Sequence, residues 1–352
     1  MEKLRNLVDR LYDNGHLEND EYVLLIENRD KIKDYLFSLS AKVREEHYGK
    51  DVYIRGLIEF TSYCKNNCYY CGIRAGNKNA ERYRLTKEQI LMCCETGYAL
   101  DFRTFVLQGG EDPYYTDSMI CDIVREIKNR YPDCAVTLSI GEKSEEAYRS
   151  FYEAGADRYL LRHETADCEH YSKLHPHPLT AQKRQECLYT LKKIGFQTGA
   201  GFMVGSPYQT TENLAEDLLF LEKLKPEMVG IGPFVPHHAT PFADMPQGTA
   251  ELSIFMLALV RLILPTALLP ATTALGTILP DGRELALKAG ANVVMPNLSP
   301  TDVRSKYLLY DNKISTGEES AECVKNIEGR IAAAGYKVVK TRGDHASFKE
   351  RK

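Results

Sequence analysis

The feature that most constrains this sequence is an eightfold alternation of short apolar segments and amphipathic segments, beginning near residue 51. The apolar segments are rich in β-branched residues, which favours strands. The amphipathic segments between them begin with helix-capping residues such as Thr86 and Ser144, which favours helices. Eight strands alternating with helices predict an α/β fold, a (βα)8 barrel of the TIM type. The predicted strands cover residues 52–60, 104–108, 135–140, 158–162, 197–204, 228–234, 268–273 and 292–296.

The remaining chain flanks this barrel. At 352 residues the chain is long for one domain, but α/β barrels reach this size as single units. We predict an N-terminal helical segment over residues 1–48, because its apolar positions recur at helical spacing. The barrel is predicted over residues 49–310, and residues 311–352 are predicted to form a C-terminal extension that packs on it.

The charge of the chain argues against nucleic acid as a partner. The chain has 45 basic and 49 acidic side chains and a net charge of -4. No basic stripe of the kind that follows a phosphate backbone is present, so nucleic acid is not an expected partner.

The chain carries no segment that predicts secretion or a membrane span. Its first residues are charged and lack the apolar core of a signal peptide, which predicts a cytoplasmic protein. The apolar stretch 254–270 is interrupted by Arg261 and Pro265, so it predicts a buried helix. Ten cysteines in this context indicate reduced thiols or a metal site.

Residues 63–72 read YCKNNCYYCG and carry Cys64, Cys68 and Cys71 in a CxxxCxxC pattern. A structural zinc site needs four ligands, and no second CxxC pair or matching histidine pair accompanies these three. The CxxCxxCxxxCP run of clustered ferredoxins is also missing. Three buried thiols without a metal are the plainer alternative, which the polar neighbours Lys65, Asn66 and Asn67 disfavour. The fourth interpretation is a 4Fe-4S cluster with three protein thiolates and one iron open to a ligand.

Polar residues follow most of the predicted strands. In a parallel barrel the carboxyl ends of the strands meet at one face, where the chemistry takes place. Besides the cysteines, the candidate residues at that face include Gln108-Gly109-Gly110-Glu111, Ser139, Arg162-His163-Glu164-Thr165, Met203 and Thr272-Thr273.

CxxxCxxC after the first barrel strand resembles the signature of the radical S-adenosylmethionine (SAM) enzymes, and the aromatic Tyr70 fits that pattern. The resemblance implies that the amine and carboxylate of SAM bind the open iron. It also implies that an electron from the reduced cluster cleaves SAM to a 5'-deoxyadenosyl radical. Gln108-Gly109-Gly110-Glu111 matches the motif that meets the SAM amino group, although a tight turn also explains its glycines.

Longer stretches, among them IEFTSYCKNNCYYCGIR, VLQGGEDPYY, DRYLLRHETA and AGANVVMPN, resemble the HydE family of FeFe-hydrogenase maturases. The resemblance runs from about residue 50 to 310. It implies a monomeric barrel with a large internal cavity that acts in assembly of the hydrogenase H-cluster. The substrate it implies is an iron complex bearing carbonyl, cyanide and cysteine, delivered by the maturase HydG and attacked at a sulfur atom. A low-potential electron donor is implied as a further partner.

The resemblance also assigns site residues. Glu164 and Arg184 would bind the ribose hydroxyls and the methionyl carboxylate of SAM, an acceptor and a planar donor. A salt bridge with Arg162 is an alternative for Glu164, and a solvated helix position is an alternative for Arg184. The predicted SAM contacts are Tyr70, Gln108, Gly109, Gly110, Glu111, Ser139, Glu164, Arg184 and Met203. The predicted substrate contacts are Arg55, Arg162, Met228, Thr272, Thr273 and Tyr307.

Several substrate contacts have plainer explanations. Thr272 and Thr273 could satisfy local backbone groups, and Met228 could fill the core. Arg55 is included because the strand phase points it into the barrel, where it could bind an anion.

The sequence departs from some HydE-like proteins near its C-terminus. Those proteins carry three more cysteines there, which bind an accessory cluster, whereas this chain has only Cys323, with Ser315 and Asn326 at matching positions. One thiolate cannot hold a cluster. We therefore predict a single 4Fe-4S cluster per chain.

Three other functions are alternatives to H-cluster assembly. Methylornithine synthase, a radical SAM enzyme that acts on an amino acid, shares the RYRLT-like and GEDPYY-like stretches. Biotin synthase needs a second cluster inside the barrel, and Cys134 is predicted at the wrong end of its strand. A scaffold or zinc-binding protein would not cleave SAM.

Overall fold

We describe a computed structural model of the chain over residues 1–314 and 324–348. Its helices are α1 (Glu2–Asn14), α2 (Asn19–Glu27), α3 (Arg29–Tyr48), α4 (Lys87–Ala99), α5 (Asp117–Arg130), α6 (Glu145–Glu153), α7 (Cys168–Leu174), α8 (Ala181–Ile194), α9 (Thr211–Leu224), α10 (Ala250–Ile263), α11 (Thr273–Ile278), α12 (Gly282–Lys288), α13 (Thr301–Arg304) and α14 (Val324–Ala333). Its strands are β1 (Asp51–Ile54), β2 (Gly56–Thr61), β3 (Thr104–Gly109), β4 (Ala135–Ser139), β5 (Arg158–Leu160), β6 (Gln197–Ala200), β7 (Met203–Val204), β8 (Met228–Val229), β9 (Gly232–Pro233), β10 (Val293–Val294) and β11 (Lys337–Val339).

A closed ring of parallel strands forms the centre of the fold. One sheet has the order β2-β3-β4-β5-β6-β8, and another has the order β10-β1-β11. Single parallel bridges complete the ring, pairing Met228 with Leu268, Pro270 with Val293 and Leu57 with Asn297. The predicted (βα)8 barrel is therefore confirmed.

Some predicted strands are broken in the structure. The first is divided at Arg55, because β1 pairs with β10 and β11 whereas β2 pairs with β3. The fifth is divided near Gly201, which has a φ of 151° and whose missing Cβ would lie 1.9 Å from the Gly230 carbonyl oxygen. In the predicted strand 268–273, only Leu268 and Pro270 pair with neighbouring strands, each through a single bridge. Pro270 has no N–H to donate to a longer ladder, and Thr273 already belongs to α11. The short β11 was not predicted.

The helices begin where their capping residues predict. Thr86, Thr116, Ser144 and Thr180 each accept a hydrogen bond from the backbone N–H three residues later, which satisfies a donor that the helix leaves free. Helix α9 is capped by Thr210, whose hydroxyl accepts from the Asn213 N–H. Correct capping fixes the loops that lead from each strand end into its helix.

The flanking segments pack against the amino-terminal half of the barrel. The Arg44 side chain on α3 donates to the carbonyl oxygens of Asp51 and Ala291 at the beginnings of two strands. In the C-terminal segment, β11 pairs with β1, and Asp344 forms an ion pair of 2.6 Å with the buried Arg158 of β5. Residues 311–314, by contrast, reach the carboxyl end of the barrel, where Asp311 pairs with His238 and Lys313 with Glu59.

No helix among residues 1–314 and 324–348 is long and apolar enough to cross a membrane. The apolar stretch noted in the sequence forms α10, which is buried along almost its whole length.

Candidate active site

The polar strand ends surround one cavity of about 300 Å³ at the carboxyl end of the barrel. Glu59, Gln108 and Ser139 are paired in register on adjacent strands, so their side chains lie at one level and on one side of the sheet. The predicted residues that line the cavity are Cys64, Cys68, Tyr70, Cys71, Gln108, Gly109, Gly110, Glu111, Ser139, Arg162, Glu164, Arg184, Met203, Thr272 and Tyr307.

The wall of this cavity does not include Arg55, Met228 and Thr273, whose role as substrate contacts stays a prediction. Arg55 is buried and points inward, but it lies at the break between β1 and β2, where its Nη1 donates to Met228 Sδ at 3.1 Å. Met228 packs with Leu268 in a small core cluster. Thr273 accepts a hydrogen bond from Arg283, a local role.

The three cysteines face the cavity as free thiols. Burial raises the pKa of Cys71 to about 12 and also raises the pKa values of Cys64 and Cys68. Since a thiol must lose its proton to bind a metal, these side chains stay neutral until a cation is beside them. Three thiols on one cavity could ligate three irons of a cluster.

Arg82 fastens the cysteine loop and was missed in the sequence. Its guanidinium donates to four backbone carbonyl oxygens on both arms of the loop, those of Ser62, Ile73, Arg74 and Asn77. Its positive charge also lowers the pKa values of Cys64 and Cys71, against the larger effect of burial. Arg82 is the first residue of the RYRLT stretch, but nothing in that stretch shows that its side chain turns back to the cysteines.

The glycine turn after β3 lies directly against the cysteine loop. A Cβ on Gly110 would come within 2.2 Å of the Tyr63 carbonyl oxygen, so this approach requires glycine. Glu111 accepts a hydrogen bond of 3.0 Å from the Glu142 N–H and lies 3.3 Å from Lys65 Nζ. The turn therefore ties the ends of three barrel loops together.

Glu164 has a strained backbone. Its φ is 67°, which is uncommon for a residue with a side chain, and hydrogen bonds to Gly201 and Met203 hold it there. Its carboxylate lies 3.1 Å from Arg162 Nη2, as the salt-bridge alternative predicted. Arg162 Nε has no hydrogen-bond partner within the described residues. The pair thus lines the cavity and leaves this buried donor for a ligand.

A buried pair supports Glu164 from behind. His163 Nε2 lies 3.2 Å from Asp217 Oδ1, and the Gly201 N–H donates to His163 Nδ1. Burial lowers the pKa of His163 to about 3 and raises the pKa of Asp217 well above its ordinary value. The neutral imidazole therefore carries its hydrogen on Nε2, the nitrogen that lies beside Asp217.

Arg184 is not a solvated helix residue, so that alternative is wrong. It is only 8% exposed, and its Nε lies 2.9 Å from Glu142 Oε1. Burial raises the pKa of the Glu142 carboxyl, and the charge of Arg184 acts in the opposite direction. Helix α8 therefore presents its guanidinium to the cavity, where it could bind a carboxylate.

Tyr70 is positioned by His175, a second residue that the sequence did not reveal. His175 Nδ1 lies 3.1 Å from the Tyr171 carbonyl oxygen, so this nitrogen carries the proton. Nε2 is then the acceptor for the Tyr70 hydroxyl, at 3.0 Å. Burial lowers the pKa of His175 to about 3, which keeps the imidazole neutral and in this tautomer.

We expect His175→Phe to lower the free energy of unfolding by about 1–3 kcal/mol, because it leaves the buried Tyr70 hydroxyl without an acceptor. His175→Gln, which keeps an acceptor, should lose less and should retain SAM affinity. Urea denaturation and SAM titration measure both effects, with the exposed His47→Phe as a control. Equal losses in the Gln and Phe variants would show that the hydrogen bond does not position Tyr70.

A second group of possible ligands lies at the cavity rim. His237, His238 and Asp311 have ligand atoms within 4.8 Å of one another. However, the Ala239 N–H donates to His237 Nδ1 at 3.0 Å, which leaves the hydrogen of the neutral ring on Nε2. We therefore assign no metal to this group.

The fold and this cavity define a class of protein. The family model described as the radical SAM superfamily matches residues 58–221, which span the cysteine loop, the glycine turn and Glu164. The chain is a radical SAM enzyme, and enzymes of this class use a 4Fe-4S cluster and SAM. Within that class, the chain belongs to the HydE family of FeFe-hydrogenase maturases. It is 48% identical over 302 residues to the maturase subunit HydE of Thermotoga maritima, and the match covers 86% of each chain.

Other relatives are more distant. The 3-methylornithine synthase of Methanosarcina barkeri is 28% identical over 341 residues, covering 96% of this chain and 95% of the relative. A crystal structure of methylornithine synthase superposes with a TM-score of 0.83 and 26% identity, covering 95% of this chain and 97% of that one. A crystal structure of HydG has a TM-score of 0.81 at 19% identity, covering 96% and 76% of the two chains, which shows a shared fold alone.

The residues present fit the cofactors of this class. Three free thiols face the cavity, and neither a fourth cysteine nor a histidine is among the lining residues that the structure describes. Thr272 Oγ1 is buried there without a hydrogen-bond partner in the described part of the chain, which is costly unless a ligand supplies one. The donor set therefore suits a cluster with an open iron and a polar ligand beside it.

Proposed function

We propose that this chain cleaves SAM reductively and uses the resulting radical on a sulfur-containing iron complex during assembly of the FeFe-hydrogenase H-cluster. The observation that carries the proposal is the convergence of Cys64, Cys68 and Cys71 with Glu164 and Arg184 on one cavity. The identity of 48% to HydE favours the maturation role. When bound, the reduced cluster supplies the electron that breaks the sulfonium bond of SAM.

The residues of the cavity have separate tasks in this proposal. Cys64, Cys68 and Cys71 hold the cluster. Arg184, charged and next to Glu142, binds the methionyl carboxylate, while Glu164 accepts from the ribose hydroxyls. The other proposed SAM contacts are Tyr70, Gln108, Gly109, Gly110, Glu111, Ser139 and Met203.

The far side of the cavity suits an anionic, sulfur-containing substrate. Arg162 and Thr272 offer polar atoms without hydrogen-bond partners among the described residues. Leu161, Phe234 and Leu309 supply apolar wall, which excludes water from the reacting atoms. Tyr307 lies beside Gln108, whose Nε2 is 3.5 Å from the phenol oxygen.

The proposal is tested by anaerobic reconstitution of the protein followed by addition of dithionite and SAM. Formation of 5'-deoxyadenosine is the expected result. Protein that assembles its cluster but releases no 5'-deoxyadenosine would contradict the proposal. An iron complex bearing carbonyl, cyanide and cysteine should then consume the radical, and HydG is the proposed source of that complex.

We expect about four iron atoms per reconstituted chain, since Cys64, Cys68 and Cys71 provide the only proposed cluster site. Cys323 lies outside the described residues, and its lone thiolate should not bind a second cluster. Iron and sulfide analysis measures the stoichiometry, and Cys323→Ala should leave it unchanged. About eight iron atoms per chain would refute the single site.

A second candidate function is an amino-acid rearrangement like that of methylornithine synthase. Its support is the structural match of that enzyme over 95% of this chain. Lysine added to the reconstituted protein should leave the rate of 5'-deoxyadenosine formation unchanged. A lysine-dependent increase would favour this second function over the maturase.

A further inference from the structure

The outer face of the cysteine loop is positively charged, although the whole chain has a net charge of -4. Residues 63–80 contain Lys65, Arg74 and Lys78 and no carboxylate, and among these Lys65 is paired with Glu111 of the glycine turn. The two arms of this loop lie side by side, since the Ala75 N–H donates to the Asn66 carbonyl oxygen at 2.8 Å. The three cations therefore belong to one surface over the buried thiols.

An aromatic groove adjoins this basic face. The groove, of about 540 Å³, is lined by Tyr69, Lys173, Tyr208, Pro241, Phe242 and Met245. Tyr69 directly follows Cys68 in the chain, and its N–H donates to the Leu174 carbonyl oxygen at 3.0 Å. Its ring lies 6.0 Å from that of Phe242, and the ring of Tyr208 lies 6.1 Å from Phe242 on another side. The groove therefore begins at the cysteine loop.

Tyr208 is held on this surface at a conformational cost. Its φ is 66°, a strained value for an aromatic residue, yet its side chain is 55% exposed. The Gln209 side chain fixes the turn by bonding the Gly205 N–H at 2.6 Å and the Met203 carbonyl oxygen at 2.8 Å. Together with Tyr69 and Phe242, this exposed ring forms an aromatic patch of the kind that marks an interaction surface.

We propose that the basic cysteine loop and the aromatic groove together form the docking surface for an acidic, ferredoxin-type iron–sulfur protein that reduces the cluster. This inference rests on the proposed function, which requires one electron per SAM cleaved. The carrier is oxidised by one electron and the 4Fe-4S cluster of this chain is reduced by one, with no bond or proton transferred. Aromatic residues at the centre and charges at the rim are the usual anatomy of a protein interface.

Charge selects this partner over a second copy of the chain. At a two-fold interface the same basic face would meet itself, and like charges would repel. An acidic carrier is attracted instead, and electron-transfer partners need only a small interface. The contact also places the carrier against the loop that holds the three cysteines.

The test uses Lys78→Glu and Lys173→Glu in the reconstituted enzyme, mixed with a reduced acidic 2Fe-2S ferredoxin. Both lysines are exposed, and neither belongs to the proposed SAM site; Lys173 forms an ion pair with Glu169 on its own helix. At low salt each variant should be reduced by ferredoxin about tenfold more slowly or worse, and the double variant should lose most of the salt dependence. Stopped-flow absorbance gives these rates, and a ferredoxin titration gives the affinity.

Dithionite provides the comparison that isolates docking. Cluster reduction and SAM cleavage driven by dithionite should be unchanged in both variants, because this small reductant needs no docking surface. Lys288→Glu, at the opposite end of the barrel, is the matched control. Unchanged ferredoxin rates in the loop variants, or an equal loss in the control, would overturn the inference. If dithionite yields no 5'-deoxyadenosine even in the wild type, the proposed function fails, while the ferredoxin titration still decides the docking surface.

Discussion

Replacing Cys68 with Ala should abolish both the iron–sulfur cluster and SAM cleavage. The cavity offers three thiols, and two remaining thiolates cannot hold a 4Fe-4S cluster that already has an open iron. Loss of a residue that hydrogen-bonds to a metal ligand typically lowers activity about 10–100-fold. Because Cys68 is itself a proposed ligand, we expect 5'-deoxyadenosine formation to fall by more than this. The absorbance of the reconstituted protein and its electron paramagnetic resonance signal after reduction report the cluster directly.

Two other cysteines serve as controls for this substitution. Cys168 is exposed and Cys134 is buried at the amino-terminal end of β4, and neither faces the cavity. Cys168→Ala and Cys134→Ala should keep the cluster and the cleavage activity. If Cys68→Ala retained both, the cysteine loop would not be the cluster site.

The sequence predicted the end of the barrel at which the cavity lies, because the carboxyl ends of parallel strands meet at one face. Gln108 and Ser139 were found as the last residues of apolar runs, and barrel closure brings such ends to one face. The position of an inward-facing residue along its strand, and so its distance from the cavity, was harder to predict. Arg55 and Met228 do point inward, but the break after β1 leaves them below the cavity, and periodicity alone carries no information about that break.

Residues that act through long-range contacts escaped prediction. Arg184 could be read as solvated because the phase of α8 is ambiguous, and only the ion pair with Glu142 shows its direction. His175 meets Tyr70 across 105 positions in the chain, and no local pattern connects them. Such pairs depend on how loops fold back over the barrel, which propensity and spacing do not specify.

Replacing Arg82 with Leu should cause the second large loss, in cluster occupancy. One guanidinium bonds carbonyl oxygens from both arms of the cysteine loop, so its removal frees the arms from each other. Each hydrogen bond from a charged donor contributes about 1.5–3 kcal/mol. Loss of these bonds therefore leaves the loop too loose to keep three thiols together. We expect the iron content after reconstitution to fall at least about tenfold. Loss of a residue that orients metal ligands typically lowers metal affinity by about this factor or more.

Arg82→Lys should restore only part of the iron, because a single ammonium cannot reach both arms as the planar guanidinium does. Arg103→Leu is a matched control: Arg103 also donates to backbone carbonyl oxygens, those of Tyr98 and Phe102, but near the beginning of β3. That variant should lose some stability and keep its cluster. Iron analysis and urea denaturation of all three variants separate a loosened cysteine loop from general destabilisation. A normal iron content in Arg82→Leu would show that the loop holds the cluster without this arginine.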